Sequence, residues 1–181
     1  MTITRIISPS ITGLTIPNTS INNASLNSVT ALPSAVAVAN TPAWRAQIAS
    51  QSLSFNTATK IDYTSELQDT NTAYDTSNKR FTVPSGLGGT YMVGAWYRVG
   101  SNTNVEAFNI YVYKNGSYLS SNREVAAHGV NQFYNVIQLS ATVELSASDY
   151  LEMYAFNNQS NATYTIGYDN AGLFWGYKII T

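Results

Sequence analysis

From residue 43 onward, apolar side chains return at every second position, in short runs broken by polar or glycine-bearing turns. Residues 43–55 read as a strand or a strand pair. Residues 60–63 and 81–83 read as short strands. Along 91–99, Tyr91, Val93, Ala95, Tyr97 and Val99 share one face of a longer strand. Residues 107–113 and 118–126 read as the two arms of a hairpin, because Asn115-Gly116 between them tolerates the positive φ of a tight turn. Ile137, Leu139, Ala141, Val143 and Leu145 alternate without a break, and a turn follows over 146–149. Strands over 151–156, 164–168 and 173–180 complete the series. A helical period of 3.6 is absent. Many short strands with turn signals at intervals of about 8–12 residues predict an all-β sandwich or jelly roll.

Several of these strands are bulky on both faces. Phe108, Ile110 and Val112 occupy one side of their strand, with Tyr111 and Tyr113 on the other. Leu151, Met153 and Ala155 oppose Tyr150, Tyr154 and Phe156. A two-layer sandwich leaves one face of each sheet wet. The pattern therefore predicts a subunit interface over Tyr111, Tyr113, Tyr150, Tyr154 and Phe156.

Residues 1–40 are different in kind. They hold no aromatic side chain and one charge, Arg5. Ile11, Ile16, Ile21, Leu26 and Ala31 recur five apart, a spacing that matches neither helix nor strand. Three readings stand: a short pentapeptide coil, an extended segment packed on other chains, or a partly disordered polar arm. In each, 1–40 is an anchoring arm and 41–181 a head domain. Extended, 40 residues reach up to about 130 Å. Pro42 holds Thr41 extended and marks the boundary.

Charged residues are 10% of the chain, against roughly 25% in an average domain. That leaves few trypsin sites, which suits an exposed, protease-resistant particle. The formal net charge is −1, so nothing electrostatic favours nucleic acid or an acidic membrane as partner. With no cysteine, disulfides and thiolate metal sites are excluded, and stability falls to the core, a metal or a subunit interface. No apolar run approaches the roughly 18 residues of a membrane helix. MTITRIISPS does not read as a signal peptide, so an external location would be reached by lysis or within a particle.

Candidate chemistry is sparse. His128 is the single histidine and falls in a loop, which rules out a histidine metal cluster within one chain. Ten acids are present, and their spacing singles out no pair for glycoside hydrolysis. Asp75, before Ser77-Asn78, reads as a turn former. Ser85-Gly86-Leu87-Gly88-Gly89 lacks the Lys-Ser/Thr of a phosphate loop and reads as a strand corner. No catalytic residue is assigned. Trp96 and Trp175 are expected in core or interface packing. Tyr118, Phe133 and Tyr134, near loop tips, are the candidates for stacking on a glycan.

The order PAWRAQIASQSLSF, TKIDYTSEL, YDTSNKRFTVPSGLGGTYMVGAWYRV, DYLEMYAF and GLFWGYKI resembles the globular head of complement 1q, within the tumour-necrosis-factor-like jelly-roll group. The resemblance is carried by Trp44, by Tyr74, Asp75 and Phe81, by the strand entry Gly89-Thr90-Tyr91, and by Gly172 to Tyr177. It covers about residues 42–180. The glycine-rich corner at 85–89 and the lack of a preceding collagen repeat depart from the pattern. The wording is similar to the versions found in bacteriophage virion proteins. The resemblance implies a ten-strand jelly roll, a tight homotrimer and no enzymatic activity. Some members hold calcium near the trimer apex; no cofactor and no calcium ligand is carried over here. The implied function is a trimeric capsid decoration or cement protein (a head fibre) on the virion exterior, assembled in the host cytoplasm. Its arm would bind a major capsid protein or a tail or fibre protein. The alternative is a receptor-binding tail-fibre tip that recognises host surface glycan or protein; an enzyme acting on polysaccharide and a host-derived lectin or adhesion module are further classes.

Overall fold

The computed structural model describes residues 40–100, 108–126, 134–157 and 163–179, the side chains of 120–126 and 134 excepted. All belong to the second of the two units into which the chain divides, Ala39–Thr181. The arm positions Ile11, Ile16, Ile21 and Leu26 lie outside the described residues, as do His128 and Phe133.

Thirteen strand segments form among the described residues: β1 (Ala43–Ile48), β2 (Gln51–Leu53), β3 (Ala58–Lys60), β4 (Tyr63–Asp69), β5 (Tyr74–Asp75), β6 (Arg80–Thr82), β7 (Gly89–Gly100), β8 (Phe108–Lys114), β9 (Ser117–Ala126), β10 (Tyr134–Leu145), β11 (Tyr150–Asn157), β12 (Tyr164–Ile166) and β13 (Gly172–Lys178). One sheet runs β2-β12-β7-β13-β1-β4, with β10 on the other side of β7. The second runs β5-β6-β11-β8-β9, with β3 also on β11. Every named strand pair is antiparallel. The two sheets face each other as a β-sandwich, as the alternation predicts.

The hairpin at Asn115-Gly116 forms with φ of 52° and 76°. Asn115 also ties the hairpin to the β10–β11 turn: its Oδ1 accepts from the Tyr150 N–H at 2.9 Å and its Nδ2 donates to Asp149 at 2.7 Å. Asp149 takes a further bond from Lys114 at 2.8 Å. These donors, Lys114 first, hold the Asp149 carboxyl down to about 2.

The region 43–69 departs from expectation. The single short strand expected over 60–63 is instead a crossing point. β3 ends at Lys60 in one sheet and β4 starts at Tyr63 in the other, with Ile61 buried between them. The Ile61 N–H donates to the Met153 carbonyl at 2.9 Å and the Ala49 N–H to the Asp62 carbonyl at 2.7 Å, so the backbone stays bonded while it changes sheets. β4 was not expected because five of its seven residues are exposed. An edge strand with one buried side chain carries no alternating signal, and its pairing with β1 decides its conformation.

The core is aromatic. Trp44 of β1 stacks on Phe81 of β6 with centroids 3.7 Å apart and planes 6° off parallel, which joins the two sheets. Phe174 meets Trp44 edge-on at 5.5 Å. The indole reaches this position because its cross-strand neighbour is Gly176: a Cβ there would lie 2.3 Å from the Trp44 ring. Buried tyrosines pair their hydroxyls with backbone carbonyls: Tyr63 with Trp96 at 2.9 Å, Tyr74 with Tyr63 at 2.8 Å and Tyr97 with Asn109 at 2.8 Å. Each of these interior phenols therefore has a partner, as burial requires.

Gly176→Ala is expected to lower unfolding stability by about 1–3 kcal/mol, the usual cost of overpacking a filled core, as read from urea midpoints. Burial also pushes the Tyr63 and Tyr97 phenols well above their ordinary range and Tyr91 up to about 12. The folded state thus holds these protons more tightly than the unfolded chain. Stability is full below about pH 10 and falls as pH rises toward the folded-state values. Chemical denaturation repeated across that range should show the decline together with phenolate absorbance; a flat stability profile would contradict it.

Candidate functional site

Among the described residues, two outward faces gather aromatic side chains. The first covers β8 and β11. Strand pairing places Tyr154 opposite Tyr111, Glu152 opposite Tyr113 and Phe156 opposite Asn109, while Tyr113 also faces Tyr118 of β9. Tyr113 and Tyr154 stack at 4.1 Å and 29°. Tyr118 meets Tyr111 edge-on at 5.0 Å and lies 5.9 Å from Tyr113, and Tyr111 lies 6.2 Å from Phe156. Arg80 sits over the Tyr150 ring at 4.6 Å.

The five residues expected at a subunit interface, Tyr111, Tyr113, Tyr150, Tyr154 and Phe156, are therefore brought onto one sheet face. There they are half-buried, four of them by stacking on one another and Tyr150 under Arg80. Of the expected glycan residues, Tyr118 joins this face and is 40% exposed. Tyr134 begins β10, on the other sheet, paired with Gly100; its side chain and Phe133 lie outside the described residues.

The second face covers the opposite sheet. Three rows cross it in register: Gln138, Trp96, Leu173 and Gln47; Ser140, Gly94, Trp175 and Arg45; Thr142, Met92, Tyr177 and Ala43. Trp175 lies flat because Gly94 offers no side chain; a Cβ at 94 would be 2.3 Å from its ring. Tyr177 continues the surface, 6.3 Å from Trp175 and 16° off parallel. A hollow of about 360 Å³ opens on one side of Trp175, lined by Trp96, Gln138 and Ser140. Another of about 360 Å³ opens on its other side, lined by Arg45, Gln68 and Tyr177. Val136 on β10 is 50% exposed. The sequence marked Trp96 and Trp175 for core or interface packing but did not show that the two share a face. The glycine at 94, opposite Trp175 only in register, was the missing signal.

Several charged groups among the described residues are engaged in structure. Glu152 is buried and accepts from Lys60 at 2.5 Å; Lys79 pairs with Asp62 at 2.5 Å and Arg98 with Asp169 at 3.1 Å. Asp75 accepts from the Ser77 and Asn78 N–H groups, both at 2.9 Å, and these bonds lower its pKa, the Asn78 side chain contributing most. That is the turn-forming role expected of it. Among the described residues, no three or more His, Cys, Asp or Glu side chains gather where a metal ion could be held. The corner at 85–89 bends through Gly86 and Gly89, with φ of 76° and 143°, and leads into β7 with no helix after it.

This fold is that of the complement-1q and tumour-necrosis-factor-like jelly roll. The structure is similar to the globular domain of zebrafish complement 1qA (TM-score 0.53, 13% identity, 77% of this chain and 98% of that one) and to the Eiger TNF of S. frugiperda (TM-score 0.56, 10% identity, 76% and 92%). It is also similar to the PRD1 vertex protein P5 (TM-score 0.52, 17% identity, 76% and 96%). At these identities the likeness concerns the fold. In sequence, 54% of the chain is 30% identical over 102 residues to the phage-like element PBSX protein XkdV of Bacillus subtilis, and 55% is 30% identical over 106 residues to YqcC of the same organism, a protein described as uncharacterized. The matches span 15% and 28% of those two proteins. No family model matches the chain.

Lys60→Met should destabilise the fold by about 2–3 kcal/mol, because it strands the buried Glu152 carboxylate. Lys79→Met should cost under about 1 kcal/mol, since both members of its pair remain in contact with solvent. Parallel urea titrations compare the two; equal losses would remove the special position of Glu152.

Proposed function

We propose that this chain is a non-enzymatic structural protein of a bacteriophage virion, with a homotrimeric jelly-roll head that decorates the capsid exterior. Residues 1–40 serve as its arm onto other virion proteins. The similarity to a phage-element protein favours the phage setting, and the likeness to a viral vertex protein favours the capsid surface over the tail. Multivalent arms on a trimer would raise avidity without strong single contacts. The receptor-binding tail-fibre tip is the competing role.

The observation that carries the assembly is the tryptophan face. It holds two indoles, Met92, Leu173 and the exposed Tyr177 and Val136, and its two hollows beside Trp175 can each admit side chains from a neighbouring copy. Exposed apolar surface of this kind marks interaction sites. The tyrosine face, where sequence alone put the contact, meets part of its own need for cover through ring stacking. We therefore place the contact between copies on the tryptophan face.

Light scattering of the purified protein should give a mass of three chains, and Trp175→Ser should yield monomers that keep the same far-ultraviolet spectrum. Dissociation by Tyr154→Ala, with Trp175→Ser still trimeric, would return the interface to the tyrosine face. Electron microscopy of the particle should find the heads on the capsid; heads found solely on the tail would favour the fibre tip.

A further inference from the structure

We infer that the outward face formed by Tyr111, Tyr113, Tyr118, Tyr154 and Phe156 binds an uncharged polysaccharide. The inference builds on the reading above, in which this face stays outside while the tryptophan face is covered by other copies.

The chemistry of the face selects the ligand. Among the described side chains, the cations that border it have partners: Lys60 with Glu152, Lys114 with Asp149, and Arg80 over the Tyr150 ring. A phosphate, sulfate or carboxylate ligand would have to displace these contacts. Ring surface and phenol hydroxyls remain. Among the described residues, the hydroxyls of Tyr113, Tyr118 and Tyr154 meet no protein hydrogen-bond partner, whereas the buried tyrosines Tyr63, Tyr74 and Tyr97 each donate to a backbone carbonyl.

An occupant must therefore match a flat apolar body with a polar edge. An apolar protein surface would cover the rings but leave three hydroxyls without partners, at a desolvation cost. A sugar ring presents C–H groups to the aromatic faces and hydroxyls to the phenols, and carries no charge. Nucleic acid would supply stacking bases, but a chain of formal net charge −1 offers its phosphates no overall attraction. Tyr118 is the exposed member and meets both Tyr111 and Tyr113, so it forms the accessible end of the platform.

The full chain is passed over beads carrying dextran, mannan or galactan, with heparin beads as the anionic control. Retention on at least one neutral polysaccharide is expected, unchanged by moderate salt, with heparin not retaining the protein. Tyr118→Ala, which leaves the core untouched, should weaken that retention about ten-fold, and Tyr118→Phe by less because the ring remains. Melting curves and light scattering on each variant keep folding and assembly separate from binding. No retention on any neutral polysaccharide, salt-sensitive retention on heparin alone, or equal retention by wild type and Tyr118→Ala would each overturn the inference. Loss of the trimer in Tyr118→Ala would also overturn it, since this face would then be an interface. A monomeric wild type that still binds dextran, mannan or galactan would instead refute the trimer and leave the polysaccharide site standing.

Discussion

Trp44 belongs to one sheet and Phe81 to the other, and their rings lie face to face at 3.7 Å in the middle of the sandwich. The contact exists because Gly176, beside Trp44 in the ladder, leaves room for the indole to lie down. Phe174 closes one edge and Tyr91 lies 6.4 Å away. This cluster sets the spacing between the sheets. Two aromatic rings at stacking distance leave little freedom for sliding, and the packing of β1, β6, β7 and β13 follows from it. In a chain without disulfides, such interlocking takes the place that covalent links hold in many small exposed domains.

The same device appears on the outside. Trp175 lies on Gly94 as Trp44 lies on Gly176, with a large ring over a strand position that lacks a side chain. Inside, the arrangement fills space. Outside, it makes a flat aromatic surface with a hollow on either side. The structure thus carries two chemically distinct faces. The tryptophan face sets Trp96, Trp175, Met92, Leu173 and Tyr177 among Gln47, Gln138, Ser140 and Thr142. The tyrosine face is self-stacked and carries phenol hydroxyls.

Charge plays a local part. Ionic groups are few, and several of those described serve the architecture. Asp149 joins two turns, Asp75 forms one, and Lys60 covers Glu152.

Much of the fold was legible in the chain. Alternation placed β7, β8, β10, β11 and β13, since buried side chains two apart need no knowledge of what they meet. Asn115-Gly116 announced its hairpin, because positive φ is a property of the residues themselves. The sequence also held both aromatic sets and the near absence of charge. Tertiary structure alone decided the rest. β4 is a strand because β1 lies beside it, and the stretch 60–63 switches sheets because Met153 receives its N–H. Tyr118 meets Tyr111 and Tyr113 through hairpin register, and Trp175 finds Gly94 from 81 residues away, two pairings that depend on how strands align rather than on what either strand contains. Local chemistry determines which residues seek cover; long-range register determines what covers them.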